Sequence, residues 1–360
     1  MAEPTTAPQP VGTRDDPLPI DLALQGGGAH GAFTWGVVER LFEEPTLRIE
    51  SITGASAGSM NAVLIAHGCM LGGAAGVKAA LERFWAAVSD AARFSPLQRT
   101  PFDRAAGDWS LDSSPGYWFV DFFSRLLSPY ESNPANFNPL RDILEASVDF
   151  ERLKDSPIKL FINATNVRTG LPRLFRNAEL SADVILASAC LPLMHQAIEI
   201  DGDPYWDGGF SGNPLLTPLI HDRRARDIVL VQINPVERPG TPTTARDILN
   251  RLNEISFNSS LKKELRGIAM FQQLVGQGHA LRDAGWAEDW ATVRLHRITT
   301  PMMVELSASS KLNAEWAFLC MLHDEGRVRA DEFLRAHGGD LGVRASYDIS
   351  TLLDTLLEQG

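Results

Sequence analysis

Ser56 stands in Gly54-Ala55-Ser56-Ala57-Gly58, where small neighbours let a serine turn sharply out of a strand and into a helix with its hydroxyl presented. A serine placed this way is a candidate acyl-transfer nucleophile, provided that a base takes its proton. Upstream lies Gly26-Gly27-Gly28-Ala29-His30-Gly31. Its glycines let backbone N–H groups approach a ligand closely, and the following helix adds the positive end of its dipole, so the loop suits a negative oxygen. Downstream, Asp207-Gly208-Gly209 offers a carboxylate that can accept a proton, although an aspartate before two glycines is also the usual make-up of an Asx turn.

Each motif alone has rival readings. Gly26-x-Gly28-x-x-Gly31 satisfies the dinucleotide fingerprint, with Glu43, Glu44 or Glu50 as ribose-binding acids, and it also suits a plain tight turn. In α/β-hydrolases the elbow serine follows several strands; here only one helix and one strand separate it from the glycine loop, too early for that fold. The histidines His195, His221, His279, His296, His323 and His337 are alternative bases, but none has a motif around it.

The elements that must carry these motifs follow from the apolar pattern. Ile20 to Leu24 reads as a buried strand opening onto the glycine loop, and Ala32, Phe33, Trp35, Gly36, Val37, Val38, Leu41 and Phe42 recur at helical spacing. Leu47 to Thr53 alternates apolar and polar residues before the serine turn, and Met60 to Ala66 continues as a helix. Two strand-turn-helix units in succession predict an α/β fold with a parallel sheet and ligands beyond the carboxyl ends of its strands. Lys159 to Thr165 and Ile228 to Ile233 read as further buried strands. Aromatic residues crowd Phe94 to Tyr130, which suits an acyl-chain wall, a lid or ordinary core. After Pro235, Pro239 to Thr244 reads as a linker. The remainder is mostly helical, with one strand at Thr292 to Ile298 and the clearest helices at Ser310 to His323 and Ala330 to His337.

Composition narrows the function classes. Hydrophobic residues make up 44% and charged residues 22%, which excludes disordered and fibrous classes. A net charge of −12 opposes a polyanionic partner, so nucleic acid is not expected, and membrane contact would have to be local and apolar. Lys262, Lys263 and Arg266, and the cluster Arg223, Arg224 and Arg226, are candidate headgroup contacts or simply solvated faces. Cys69, Cys190 and Cys320 lack ligand spacing, which predicts free thiols, no metal site and a cytoplasmic location. No signal peptide or transmembrane helix is expected: the charge-free run Ser51 to Val77 is rich in glycine and carries Ser56, Ser59, Asn61 and His67.

Taken in order, G-G-G-x-x-G, G-x-S-x-G and D-G-G resemble the patatin-like phospholipase family over roughly Leu22 to Pro214. Ala187-Ser188-Ala189-Cys190-Leu191-Pro192 is similar to the family's A-S-x-x-x-P segment, and Glu199-Ile200-Asp201-Gly202 leads into the aspartate. The resemblance implies a three-layer α/β/α fold with a mainly parallel sheet. Residues 1–17, rich in Pro, Thr and Ala, are expected to be a disordered tail, with a patatin-like catalytic domain at 18–238 and, from the residue pattern, a mostly helical extension at 239–360 packed on the core. The resemblance also implies a lipid acyl hydrolase working by a Ser56–Asp207 dyad, with Gly26, Gly27, Gly28 and Ala57 as oxyanion donors and no metal or cofactor. His30, Gly31, Gly54, Gly58, Gly208 and Gly209 would support these motifs. The substrate would be a lipid or other acyl ester, met by transient contact with a membrane surface. An acyltransferase using the same acyl-enzyme stays open, and so does an idle binding protein on the same scaffold. The loop departs from the family at His30, where relatives carry Arg or Lys. An imidazole there would supply positive charge only at lower pH.

Overall fold

In the computed structural model, which describes residues 12–124, 126–277 and 285–353, the short apolar runs become strands of one eight-stranded sheet. In chain order they are β1 (Leu18–Leu24), β2 (Leu47–Gly54), β3 (Lys159–Asn166), β4 (Pro172–Arg176), β5 (Ile198–Ile200), β6 (Asp203–Trp206), β7 (Asp227–Val231) and β8 (Arg294–Ile298). They lie in the order β5-β6-β3-β2-β1-β7-β8, with β4 also paired to β3. β1, β2, β3, β7 and β8 are parallel, while β4 and β6 run antiparallel to β3, and β5 pairs antiparallel with β6. Two interior strands read as their burial requires: all five residues of β7 and the last five of β1 are buried, since helices cover both faces.

This order fixes where a ligand belongs. From β1 the chain steps to β2 and β3 on one side, and returns to β7 and β8 on the other. The loops after β1 and β7 therefore part at a topological switch point on the carboxyl edge of the sheet, where α/β folds hold their ligands. The glycine loop follows β1, the serine turn follows β2 and Asn234 follows β7.

The charge-free run Ser51 to Val77 forms the end of β2, the turn and much of the kinked helix Ala57–Ala92. That helix has the length and composition to cross a membrane, but its apolar half, from Ala57 to Gly68, is packed inside the protein. Its first half supplies Val63, Leu64 and Ile65 to the main core, each worth about 1.5–3 kcal/mol on full burial.

Several expectations change. Residues 1–11 of the expected tail lie outside the described residues. From Thr13 to Asp16 the chain makes a hydrogen-bonded turn into β1. Residues 239–360 do more than pack on the core: β8 extends the central sheet beside β7, and the helix Trp316–His337 lies against the helix Gly31–Phe42. The two late helices expected from the pattern are this single helix, preceded by the short 3₁₀ turn Ala308–Leu312. Gly326, which might have parted them, is instead the crossing point. A Cβ there would lie 2.1 Å from Phe33 O, and one on Gly36 would lie 1.8 Å from His323 O. Only glycine on both helices lets the backbones meet this closely.

Candidate active site

β2 ends at Gly54, and the chain reverses at Ser56 to start the helix at Ala57. Ser56 takes φ 53° and ψ −126°, one of four non-glycine residues with positive φ among those described. Such a conformation costs about 1–3 kcal/mol and persists only where neighbours hold it. Here the Ser56 N–H donates to Ser188 O at 3.0 Å and to Ser188 Oγ at 3.1 Å. On the other side of the turn, Ser59 Oγ donates to Ser56 O at 2.6 Å. The small flanking residues are required by contact: a Cβ on Gly58 would lie 2.2 Å from Leu24 O.

Asp207 arrives from a different direction. β6 pairs antiparallel with the end of β3, Trp206 opposite Thr165, and delivers the aspartate beside Asn163 and Thr165. Thr165 Oγ1 donates to Asp207 O at 2.8 Å, and Asn163 Nδ2 donates to the carbonyls of Gly208 and Gly212 at 2.8 and 3.0 Å. The Asx turn is present, with Asp207 Oδ1 accepting from Gly209 N at 2.7 Å. Its other oxygen, Oδ2, is buried without a hydrogen-bond partner. Burial pushes the Asp207 pKa up to about 7, against the opposing pull of the Gly209 N–H and the neighbouring Ser56 hydroxyl. Ser56 and Asp207 are thus neighbours, and no completed hydrogen bond joins them. Contacts of this kind commonly tighten only when substrate binds.

The glycine loop closes the third side. Among the described residues the N–H groups of Gly27, Gly28 and Ala57 have no hydrogen-bond partner. Gly26 is different: its N–H donates to Asn213 Oδ1 at 2.7 Å, so it cannot serve an oxyanion as the sequence suggested. What Gly26 provides is room, since a Cβ there would lie 2.5 Å from Ser56 Cβ. Gly28 has φ +59° and packs on Lys311 O, 2.3 Å from an added Cβ.

The loop is braced by residues that sequence motifs did not mark. Gln25 Oε1 accepts from the N–H groups of Ile233 and Asn234 at 3.0 and 2.9 Å. Asn234 Nδ2 donates to Gly26 O at 2.7 Å, and the half-buried Lys311 Nζ donates to Asn234 Oδ1 at 2.8 Å. Their common signal is position: Asn213 and Asn234 each precede a proline, and Asn234 lies just past a strand that the apolar pattern located.

His30 is buried and its Nε2 contacts Ser310 Oγ at 2.8 Å. Burial, with Lys311 and Arg238 nearby, holds its pKa well below the usual imidazole range. The expected charge at lower pH is therefore suppressed, and the cation beside this loop is Lys311, from the C-terminal region. No described histidine hydrogen-bonds Ser56 or Asp207. His195 has Nδ1 buried and unpaired, His221 lies edge-on to Trp290, and His296, His323 and His337 contact Asp227, Glu39 and Asp340 respectively. His279 lies outside the described residues.

The dinucleotide reading loses its acid. Glu43 pairs with Arg327, Glu50 pairs with Arg48 and Arg224, and Glu44 accepts from Thr46 Oγ1, while the carboxyl end of β2 carries the serine turn. The basic cluster ahead of β7 lies away from this site. Arg223 and Arg224 pair with Asp289, Glu50 and Asp222, and precede β7 at the opposite edge of the sheet. The helix carrying Lys262, Lys263 and Arg266 packs on the core through Leu261 and Leu265. Of the aromatic segment, Tyr117 is buried and Trp109 stacks on Phe318, while Phe94, Phe102, Phe119 and Phe122 are exposed, so it is neither all core nor a closed wall.

No curated protein matches the chain. Among solved structures it is similar to VipD from Legionella pneumophila, with 15% identity, a TM-score of 0.37, and coverage of 92% of this chain and 70% of that one. It is also similar to full-length ExoU, solved in complex with SpcU, from the type III secretion system of Pseudomonas aeruginosa. There the identity is 16% and the TM-score 0.26, with 95% of this chain and 77% of that one covered. The profile described as patatin-like phospholipase matches residues 22–220, more than half of the chain. That span runs from the middle of β1 through the glycine loop, the serine turn and the Asp-Gly-Gly loop, and on it the chain belongs to the patatin-like phospholipase family of lipid hydrolases.

Proposed function

We propose that the protein cleaves a lipid acyl ester by two-step acyl transfer, with Ser56 as nucleophile and Asp207 as its base. Ser56 Oγ attacks the ester carbonyl while its proton passes to Asp207 Oδ2. The N–H groups of Gly27 and Gly28, with that of Ala57 at the helix start, hold the tetrahedral oxyanion. Collapse breaks the bond to the leaving alcohol, which takes the proton from Asp207, and leaves an acyl group on Ser56. Water then attacks the acyl-enzyme and gives its proton to Asp207. Breakdown of the second tetrahedral adduct returns a proton to Ser56 and frees the fatty acid.

The observation that carries this reading is the pairing of a strained Ser56 with a buried carboxylate that keeps one oxygen free. An ordinary aspartate is too weak a base for serine. Burial lifts Asp207 to about 7, so that it is a stronger base and yet is substantially ionised at neutral pH. Labelling with a fluorophosphonate, followed by peptide mapping, tests the assignment. The label is expected on Ser56, and Ser56→Ala is expected to lose both label and hydrolysis. A Ser56→Ala protein that still cleaves the ester at the wild-type rate would end this reading.

A further inference from the structure

Two exposed apolar surfaces are joined to the loops around Ser56, and neither is explained by the chemistry above. The first begins in the helix Pro115–Phe123, where Phe119 and Phe122 are 60% and 58% exposed, and continues through Leu126 to Phe137, both exposed. The second is the start of the helix Ala245–Gly276, where Ile248, Leu252 and Ile255 are exposed at helical spacing. Single exposed apolar residues are normal, but runs of this size mark interaction sites.

Both surfaces are anchored to the walls of the site. At one end of the aromatic segment, Leu111 N donates to Ser309 Oγ at 2.9 Å, in the same 3₁₀ turn whose Lys311 packs on Gly28. Towards the other end, Tyr130 Oη accepts from Ala197 N at 3.3 Å, and Gln196 Nε2 donates to Asn133 O at 2.8 Å. Those residues belong to the loop that follows Ser188, which holds the Ser56 N–H. The second surface meets the Asp207 loop directly: Phe257 packs at a tilt on Phe210 with ring centroids 4.9 Å apart, and its ring lies 2.3 Å from where a Gly209 Cβ would be.

We infer that these surfaces together seat the opening of the site on a bilayer of zwitterionic phospholipid, by apolar insertion rather than by charge. The inference rests on the hydrolase reading for its direction, since a lipid ester reaches Ser56 from a membrane. Charge decides the kind of bilayer and argues against a second copy of the chain. From Pro115 to Phe137 the only charged residues are Asp121, Arg125 and Glu131, so this stretch neither draws nor repels headgroups strongly. A net charge of −12 repels both an anionic membrane and another copy at long range.

The test uses full-length Ser56→Ala, so that vesicles survive the assay, and sedimentation with phosphatidylcholine vesicles. The protein is expected to sediment with them at low and high salt alike, because apolar insertion is not screened. Adding Phe119→Ser and Phe122→Ser in that background is expected to weaken partitioning roughly a hundredfold, about tenfold per phenylalanine buried. With Ser56 intact, the same double variant is expected to cleave a water-soluble short-chain ester at the wild-type rate. If that rate falls too, Phe137→Ser takes over as the deciding variant.

Absence of vesicle binding, binding only to anionic vesicles, or a double variant that binds as well as its parent would overturn the inference. So would a salt-independent dimer that these phenylalanines mediate in place of vesicle binding. The two readings fail separately: vesicle binding without fluorophosphonate labelling of Ser56 keeps the docking surface and sinks the proposed chemistry.

Discussion

Two of the places where serine and aspartate meet on this sheet make an instructive pair. At the carboxyl edge are Ser56 and Asp207. At the amino end of β7, Ser346 Oγ contacts His296 Nδ1 at 2.9 Å, and His296 Nε2 contacts Asp227 Oδ1 at 3.0 Å. By the order of its residues the second cluster looks more like a serine-protease triad than the first. Its energetics are the reverse. Asp227 also accepts from Arg294 Nε and Nη2 at 2.9 and 2.6 Å and from Gly342 N at 2.9 Å. Burial raises its pKa, but His296, Arg294 and Gly342 outweigh that and hold it down at about 2. Both of its oxygens accept hydrogen bonds, and Ser346 is not among the residues with positive φ. Asp207 has one backbone donor, one free oxygen and a pKa raised to about 7. A satisfied carboxylate fastens chain to chain, whereas an unsatisfied one beside a strained hydroxyl is poised to move a proton.

The sharpest way to break this contrast is to remove each serine in turn. Ser56→Ala is expected to lower kcat/KM for a soluble ester by at least about a thousandfold, as nucleophile removal does in serine hydrolases. Ser346→Ala is expected to stay within about twofold. Comparable losses from the two variants would mean that hydrogen-bond satisfaction does not separate the clusters.

The aspartates sharpen the contrast through opposite responses to pH. Asp227 has a folded pKa below its unfolded value near 3.8, so its contribution is present above pH 3.8 and fades as pH falls through about 2. Asp227→Asn, which strands Arg294, is expected to cost about 3 kcal/mol at pH 7 by denaturant unfolding, while the folded fraction keeps its activity. Asp207 runs the other way. Its folded pKa lies above 3.8, so folding binds a proton between about 4 and 7, and its favourable share is lost as pH rises through about 7. Asp207→Asn is therefore expected to be more stable than wild type at pH 8, by on the order of 4 kcal/mol, and equally stable near pH 4. The same variant is expected to be inactive, and wild-type activity is expected to rise with pH up to about 7. An Asp207→Asn protein with unchanged stability at pH 8 would show that the carboxylate is not held at a cost.

These assignments also mark what the sequence makes legible. Glycines and small residues at fixed offsets encode the loop after β1, the turn after β2 and the Asp-Gly-Gly loop, because each is a local backbone shape. The five parallel strands are legible as short apolar runs, within a residue or two at most ends. Single polar residues that act only through convergence are not. Asn163, Asn213 and Asn234 look like any other asparagine until β3, β6 and β7 bring them to one edge. The role of Gly26 was misassigned because spacing shows where an N–H lies and not that Asn213 already occupies it. The helix boundary at Ser310 failed for a related reason: the run Ser307 to Asn313 is drawn into a 3₁₀ turn by its packing on the glycine loop.

Lys311 gives the smallest expected effect and the closest link between the C-terminal region and the site. An asparagine amide can be turned either way, and only one way gives Gly26 O a donor. Lys311 decides the matter at Asn234, since an ammonium donates to Oδ1 alone and so leaves Nδ2 for Gly26 O at 2.7 Å and Gln25 Oε1 at 3.2 Å. Burial lowers the Lys311 pKa, so holding an ammonium in this place carries a desolvation cost. Lys311→Met removes the donor while keeping the apolar stem. Through a looser glycine loop it is expected to lower kcat about tenfold, with KM changed less than twofold, because the loop acts on the oxyanion and not on the bound ester. Lys311→Arg, which keeps a donor, is expected to recover part of that loss. A fall confined to KM, or equal rates for the Met and Arg variants, would assign Lys311 to packing alone and detach the C-terminal region from catalysis.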